Sequence, residues 1–264
     1  MSHYAVAVFT DGKKSIEELL APYDENIEVS PYIELTKQQM IDKALERKKD
    51  YTERRDKGED IYDWMLEYIN ANTDEELYQC EYDSDYSYDK DGNQLSTYNP
   101  NSKWDWWSVG GRYNGMIRAT KGEHGEGGLF TPNRREIGRY DIAKVSDIDF
   151  SPNKKSYDKA IRWWEVVVDG SPLKENEDKK DFFNLYKVEY LLKKYKDKET
   201  YATCQSVFST FAVVLPNGKW YERGKMGWWA CVSNEEYEWD LKYKERFIDT
   251  ANPDWTLTIV DCHI

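Results

Sequence analysis

Two segments of the chain carry side chains whose types and spacing suit chemistry. The first is KWDWWSVGGRYNG, residues 103–115, in which tryptophans precede a glycine pair and an arginine. Glycine lets a backbone approach a ligand or a neighbour closely, and the guanidinium of Arg112 at such a turn can bind a phosphate or a carboxylate through two hydrogen bonds. We therefore predict a site for a nucleotide-like or phosphate-bearing ligand at Trp107, Gly110, Gly111 and Arg112.

The same tryptophans and glycines also fit a structural role. Alternate residues of a strand share a face, so Trp104 and Trp106 would point together into a core, and the glycines would form a bulge. Arg112 would then pair with an aspartate of the fold. The sequence leaves both interpretations open, and Trp104 and Trp106 are better interpreted as core residues.

The second segment is VDCHI, residues 260–264. Asp261 and His263 are two residues apart and therefore share one face of a strand, a spacing that suits metal ligation or a general base. The other histidines, His3 and His124, fall at a predicted strand start and in a glycine-rich loop, so no full set of metal ligands is evident, and neither a metal nor a cofactor is predicted. Asp261 and His263 are candidates for catalysis, and a structural hydrogen bond is the alternative role for His263.

A third segment, residues 226–240, combines tryptophans with acidic residues. A strand is predicted at 226–232 and an acidic helix at 235–248. An acidic helix face is usually only solvated, but it can also bind a partner that has a basic surface. The candidates for partner binding are Glu235, Glu236, Glu238, Asp240 and Trp229.

The composition limits the classes of function. With 37 Lys and Arg against 50 Asp and Glu, the 264-residue chain has a net charge of -13, which repels nucleic-acid backbones and predicts no direct nucleic-acid binding. Neither a membrane span nor a secretory signal is expected, because no long apolar run is present. The four cysteines lack a CxxC pair and are interpreted as reduced core thiols. The chain also lacks the common nucleotide-loop, protease and hydrolase motifs, so an enzyme is not favoured.

Hydrophobic patterns predict an α+β fold of mainly antiparallel sheets with flanking helices. A strand is predicted at 3–10, a short capped helix after Ser15, and a hairpin at Asn217-Gly218. The other predicted strands include 27–35, 163–168, 207–215 and 256–264, and the other predicted helices include 37–57 and 178–196. We expect one compact unit, 1–264, or two lobes, 1–120 and 140–264, joined by a glycine-rich loop at 120–140.

Several segments taken together resemble a family of uncharacterised proteins encoded by tailed bacteriophages and prophages. The similar segments are NPNSKWDWWSVGGRYNG, FAVVLPNGKWYERGKMGWW, VDCHI and SIEELLAPYDEN. The resemblance implies a phage origin and action in the host cytoplasm. It implies no catalytic residue.

A small acidic phage protein without enzyme motifs is expected to act by binding. The leading hypothesis is an accessory protein that inhibits a host defence or nucleic-acid-processing protein, such as a CRISPR effector, by binding a basic surface of that host protein. The alternative is a protein that binds or hydrolyses a nucleotide or a nucleotide signal, with Trp104, Trp107 and Arg112 holding the ligand and Asp261 and His263 nearby. A third possibility is a component of the virion or of its assembly. No prediction is made for the oligomeric state.

Overall fold

The larger part of the molecule is built on a six-stranded sheet. The computed structural model describes residues 2–125, 136–227 and 231–264. Its packing divides the chain into Met1–Asp24 with Lys103–Ile264, the sheet unit, and Glu25–Ser102, the insert unit. These boundaries differ from the expected ones, which lay around 120–140. Helices and mostly antiparallel strands confirm the predicted α+β class.

Two strands have eight residues, and the others are short. In chain order the strands are β1 (His3–Thr10), β2 (Tyr32–Leu35), β3 (Ser87–Tyr88), β4 (Gln94–Ser96), β5 (Trp106–Val109), β6 (Ile117–Arg118), β7 (Arg139–Tyr140), β8 (Ile142–Lys144), β9 (Ala212–Val214), β10 (Trp220–Glu222), β11 (Lys225–Met226), β12 (Val232–Ser233) and β13 (Thr256–His263).

The two long strands form the middle of the six-stranded sheet. β1 and β13 pair antiparallel over their whole length, from His3 with His263 to Thr10 with Thr256. β9 pairs in parallel with the other edge of β1, and β10 follows β9 as the antiparallel hairpin that Asn217-Gly218 predicts. Both β5 and β8 pair antiparallel with the remaining edge of β13. The ends of β1 and β13 that carry histidine therefore meet at one end of the sheet.

Both faces of the central strand β1 are covered, which explains its nearly continuous apolar sequence from Tyr4 to Phe9. All four residues from 6 to 9 are fully buried. One face packs against Trp239, Tyr243 and Phe247. The opposite face packs against Leu19 and Leu20. Burial on both sides fixes the pairing register of the strands, because a slip of one residue would exchange the two faces.

The helices flank these sheets. They are α1 (Ile16–Leu20), α2 (Lys37–Asp56), α3 (Asp63–Asn70), α4 (Asp74–Glu81), α5 (Lys154–Val167), α6 (Val188–Tyr195), α7 (Lys198–Ser206) and α8 (Trp239–Tyr243), which continues as a π-helix, Lys244–Ile248. Ser15 and Glu18 form the predicted capping box of α1. In the described ranges, every helix is too short or too polar to cross a membrane.

The insert unit has its own core. Met40 and Ala44 of α2 pack with Tyr68 of α3 and with Leu77 of α4. A small sheet in the order β2-β4-β3 belongs to the same unit. Its β3–β4 hairpin carries the acidic turn at its tip, where Asp89 accepts hydrogen bonds from the backbone of the turn. That turn is therefore a self-contained structural element.

Several predicted elements are wrong. Residues 163–168 were expected to form a strand but lie mainly in α5, because Ala160 and Trp164 recur at helical spacing and are buried together. The helix expected at 178–196 is a 3-10 turn, Lys179–Phe182, followed by α6. The strand expected at 226–232 does not join the main sheet, because β11 pairs only with β12 among the described residues. Cys204 and Cys262 are buried as expected, whereas Cys231 is exposed.

Candidate functional site

Three rings, those of His3, His263 and Trp106, form a cluster at the end of the main sheet, in which each ring contacts the other two. The strand register pairs His3 with His263 and His263 with Trp106, which places all three side chains on the same face. The ring centroids of the two histidines are 4.9 Å apart. The Trp106 ring stacks on His263 at 5.3 Å with an angle of 19° between the planes. We call His3 and His263 the histidine pair.

Each histidine of the pair is held by a carboxylate. Nδ1 of His3 lies 2.9 Å from Oδ1 of Asp261, and Nδ1 of His263 lies 2.6 Å from Oδ1 of Asp105. An ionised carboxylate can only accept hydrogen bonds, so Nδ1 of each ring carries the proton and donates it. In the neutral ring the lone pair then lies on Nε2. The carboxylates thus set both the orientation and the tautomer of the pair.

The pair is buried but not fully partnered. The side chains of His3 and His263 are 9% and 8% exposed, and that of Asp261 is 1% exposed. Nε2 of His263 has no hydrogen-bond partner in the described part of the chain. A buried polar atom without a partner costs about 1–3 kcal/mol, and such atoms in native proteins often have a chemical role. Within the described ranges, Nε2 of His263 is therefore both unpartnered and closed to solvent, so a ligand reaches it only if the side chains that cover it move.

The glycine-arginine turn is tied to the histidine pair through Asp261. Oδ2 of Asp261 accepts a hydrogen bond of 2.8 Å from the backbone N–H of Arg112. Gly111 has a φ of +48°, and a Cβ at that position would lie 2.4 Å from Cβ of Asp261. Only glycine fits there, because both the backbone conformation and the space exclude a side chain.

A second buried carboxylate, that of Asp141, packs against the other glycine of the turn, Gly110. It is fully buried and accepts hydrogen bonds from the backbone N–H groups of Gly115, at 2.5 Å, and Gly125, at 2.8 Å. A Cβ on Gly110 would lie 2.8 Å from Cγ of Asp141, and φ of Gly110 is +76°. The glycine pair therefore makes room for two buried carboxylates. The ligand contacts predicted for Gly110 and Gly111 stay a prediction.

Arg112 lies next to these carboxylates, but its guanidinium does not pair with either. Its backbone N–H binds Asp261, and the side chain forms no ion pair or hydrogen bond with another described residue. The expected ion pair between the guanidinium of Arg112 and an aspartate is therefore wrong, because it is the backbone N–H of Arg112 that binds Asp261. The exposed guanidinium leaves the predicted ligand role of Arg112 open.

The three tryptophans of the segment have different environments. Trp104 is buried in the core, where its Nε1 donates to the carbonyl of Leu20. Trp106 is 39% exposed, and its ring contacts both histidines of the pair. The prediction that Trp104 and Trp106 share a core face is wrong for Trp106, because Trp104 precedes β5 and does not follow its alternation. Trp107, predicted to bind the ligand, packs on the face opposite the histidines.

Sequence reasoning missed most partners in this site. Asp261 and His263 were candidates, but His3, Asp105 and Trp106 were not. Strand pairing brings His3 to Asp261 from 258 residues away, and no local pattern reports such a register. The one available signal was that His3 stands at the start of one predicted strand and His263 at the end of another, as antiparallel neighbours require.

A buried tyrosine supports the backbone of the pair. The hydroxyl of Tyr113 donates a hydrogen bond of 3.0 Å to the carbonyl of His3. Burial raises the pKa of Tyr113 to about 12. The hydroxyl therefore stays a neutral donor at all physiological pH values.

The acidic residues proposed to bind a partner are paired within the chain. Each of the four forms an ion pair with a lysine or an arginine. The pairs are Glu235 with Lys194, Glu236 with Arg246, Glu238 with Lys242 and Asp240 with Arg223. Trp229 lies outside the described residues. Partner binding by this segment stays a prediction, with much of its negative charge balanced locally.

Among the described residues, neither a group of metal ligands nor similarity to a known protein assigns a role to the site. Within the described ranges, no three His, Cys, Asp or Glu side chains are grouped so as to hold a metal ion. A comparison of the chain with protein-family models, curated proteins and solved structures finds no match. The function is therefore inferred from the chemistry of the histidine pair.

Proposed function

We propose that the protein hydrolyses a phosphoester bond of a nucleotide, with the histidine pair transferring the protons. The observation that carries the proposal is the geometry of the pair. The centroids of the two imidazole rings lie 4.9 Å apart, and each ring is oriented through its Nδ1 by its own carboxylate. Hydrolysis of an ester needs one group that takes a proton from water and one that gives a proton to the leaving oxygen. Two oriented imidazoles side by side meet both needs.

The assignment of the two roles rests on Nε2 of His263, which is unpartnered among the described residues. His263 is the base, because its neutral ring has the lone pair on an Nε2 that no described residue binds. Because this nitrogen is buried, the proposal requires that the side chains covering it move when the substrate binds. The oxygen of water then forms a bond to phosphorus while its proton passes to this nitrogen. The bond from phosphorus to the leaving oxygen breaks, and that oxygen takes a proton from the imidazolium of His3. Asp105 and Asp261 act as positioning residues through the two rings.

Arg112 and Trp106 supply the recognition of a nucleotide. The exposed guanidinium of Arg112 follows a turn that is bound to the same carboxylate as His3, and a guanidinium binds phosphate oxygens bidentately. Trp106 offers exposed ring surface next to His263, on which a base can stack. This arrangement favours a nucleotide ester over an uncharged ester.

The proposal is compatible with a phage accessory role, because a nucleotide signal of the host contains phosphoester bonds. Inhibition through the acidic helix has less support. Only Asp240 of the four acids lies in α8, and all four are already paired within the chain, which reduces their attraction for a basic host surface.

The test compares three single histidine variants on a panel of nucleotide esters. The panel contains 5′-monophosphates, 2′,3′-cyclic and 3′,5′-cyclic monophosphates and dinucleotides, and phosphorus NMR detects the products. We expect His263→Asn and His3→Asn to reduce the rate by about 10²–10⁴. Asparagine keeps an N–H donor for the carboxylate, so the fold is retained. His124→Asn is the matched control, because it is the third histidine of the chain and packs on Tyr140 outside the pair.

Two outcomes would remove the proposal. One is a wild-type chain that turns over no member of the panel. The other is a rate for His263→Asn equal to that of His124→Asn. A bell-shaped dependence of the rate on pH in the wild type, lost in His263→Asn, would support proton transfer by two groups.

A further inference from the structure

A second concave site lies among the helices of the sheet unit, away from the strands. It is a cavity of about 300 Å³ beside α6 and α7, which is at the small end of the range for small-molecule sites. We call it the aromatic pocket. Its ring-bearing lining residues are Trp163, Phe183, Tyr186, Tyr190, Tyr195 and Tyr201.

The rings of the aromatic pocket form two stacked pairs. Trp163 and Tyr201 have centroids 5.2 Å apart at 29°, and Tyr186 and Tyr190 have centroids 5.2 Å apart at 25°. Phe183 is 71% exposed and Tyr186 is 59% exposed. A contiguous group of exposed rings is unfavourable in water, and such patches mark binding sites.

The charge near the pocket is opposite to that of the whole chain. Residues 179–198 contain seven lysines against three acidic residues, whereas the chain as a whole has a net charge of -13. Lys194 lines the pocket, and Lys187 and Lys193 are exposed next to lining residues in the chain. The surroundings of the pocket therefore attract an anion.

The position of Lys194 decides which kind of ligand fits. Aromatic pockets can hold cations over their ring faces, but the ammonium of Lys194 already lies 5.9 Å from the centre of the Tyr190 ring and 5.4 Å from that of Tyr195. Its partner Glu235, at 2.6 Å, balances this one charge. A second cation would find the faces of these rings already occupied by Lys194 and would be repelled by the exposed Lys187 and Lys193. A flat ring that carries a negative group fits both the rings and the charge.

We propose that the aromatic pocket binds a nucleoside phosphate, with the base stacked on the rings and the phosphate held by the lysines. Stacking of a base on aromatic side chains is tolerant of base identity and contributes about 1–3 kcal/mol per base. The proposal goes beyond hydrolysis at the histidine pair, because the two sites share no residue. The nucleotide can be free or part of a single strand, since both present the same chemistry.

The test measures binding by calorimetry, with adenosine 5′-monophosphate, adenosine, inorganic phosphate and a short single-stranded oligodeoxyadenylate as probes. The full chain is used as wild type and as His263→Asn. Tyr186→Ala and Phe183→Ala remove exposed rings and leave the core intact. Tyr62→Ala is the matched control, because Tyr62 is also 59% exposed but lies in the insert unit.

We expect adenosine 5′-monophosphate to bind more tightly than adenosine or phosphate alone. Tyr186→Ala and Phe183→Ala should each weaken binding at least about fivefold, which corresponds to the lower end of the stacking contribution. Tyr62→Ala should leave it unchanged. Weaker binding of the oligonucleotide than of the monophosphate would identify a free nucleotide as the ligand, and tighter binding of the oligonucleotide would identify a single strand.

The proposal is overturned if no probe binds, or if Tyr186→Ala and Phe183→Ala bind as the wild type does. Binding that persists in His263→Asn and is weakened by Tyr186→Ala belongs to the aromatic pocket. Loss of hydrolysis without loss of this binding would concern the histidine pair alone. Hydrolysis at the histidine pair and binding in the aromatic pocket can therefore be disproved independently of each other.

Discussion

Carboxylates dominate two regions of the sheet unit, but they serve different purposes. At the glycine turn, Asp141 and Asp261 are buried and accept hydrogen bonds from backbone N–H groups and from an imidazole. In the acidic segment around α8, Glu236 and Glu238 are at the surface and pair with flexible basic side chains.

Buried and surface carboxylates differ in how firmly they hold their partners in place. A buried carboxylate whose partners are fixed holds those partners in one geometry, and its removal leaves donors that water cannot reach. A surface carboxylate is solvated with or without its partner, so its pair contributes little. Substitutions near the glycine turn should therefore disturb the protein much more than substitutions in the acidic segment.

The largest expected effect is that of Gly111→Ala. The added Cβ combines a left-handed backbone with a clash against Asp261, and we expect a loss of roughly 3 kcal/mol or more in the free energy of unfolding. Gly170→Ala is the control, because Gly170 also has a positive φ, +72°, but has open space around it. That variant should lose only about 1 kcal/mol. Urea unfolding measures both, and equal losses would show that the carboxylate contact is unimportant.

Asp141→Asn should cause the next largest loss in the free energy of unfolding. Asp141 accepts from two backbone N–H groups, and an asparagine must turn its own N–H₂ group towards one of them. We expect a loss of about 2 kcal/mol in the free energy of unfolding.

Asp261→Asn provides a matched comparison within the same site. One partner of Asp261 is the imidazole of His3, which can change tautomer and accept a hydrogen bond from the new amide. The loss of stability should therefore be smaller than for Asp141→Asn. A larger loss would mean that His3 cannot change its tautomer.

Tyr113→Phe should have a moderate effect. Removal of the hydrogen bond to the His3 carbonyl should cost about 1 kcal/mol near neutral pH. The folded-state pKa of Tyr113 is raised to about 12 from 10.0, so between these pH values the unfolded chain releases a proton that the folded chain keeps. Stability is then lost as the pH rises. Unfolding measured from pH 9 to 12 should show a shallower decline for Tyr113→Phe than for the wild type.

The smallest effect is expected for Glu238→Gln in the acidic segment. Its partner Lys242 stands four residues along the helix, and both side chains are about half exposed. The thermal midpoint of unfolding should stay within about 1 °C of the wild type. A larger decrease would mean that the acidic segment is held by its ion pairs, and the contrast with the glycine turn would then be lost.

Local patterns in the sequence predicted the local structure well. The strand at 3–10, the capped helix after Ser15 and the hairpin at Asn217-Gly218 were found, because neighbouring residues determine each of them. Residues 163–168 were misassigned, because a short apolar run fits a buried helix as well as a strand.

The candidate site depended on contacts that no local pattern encodes. Alternation identified Asp261 and His263 as neighbours on one face, but the side chains that complete the site come from β1 and from the residue before β5. Asp105 follows the buried Trp104 and binds His263 across the strands. The sequence indicated that glycine is needed at positions 110 and 111. The reason, which is that two buried carboxylates lie against these positions, could be seen only in the folded structure.

The most direct test of the central claim is the tautomer of the histidine pair, measured by proton–nitrogen NMR of the imidazole rings. The chain has only three histidines, so each ring can be assigned with single substitutions. We predict that neutral His3 and His263 carry their proton on Nδ1, because each donates it to a carboxylate. Protonation on Nε2 of neutral His263, the form that free histidine prefers in water, would contradict the account.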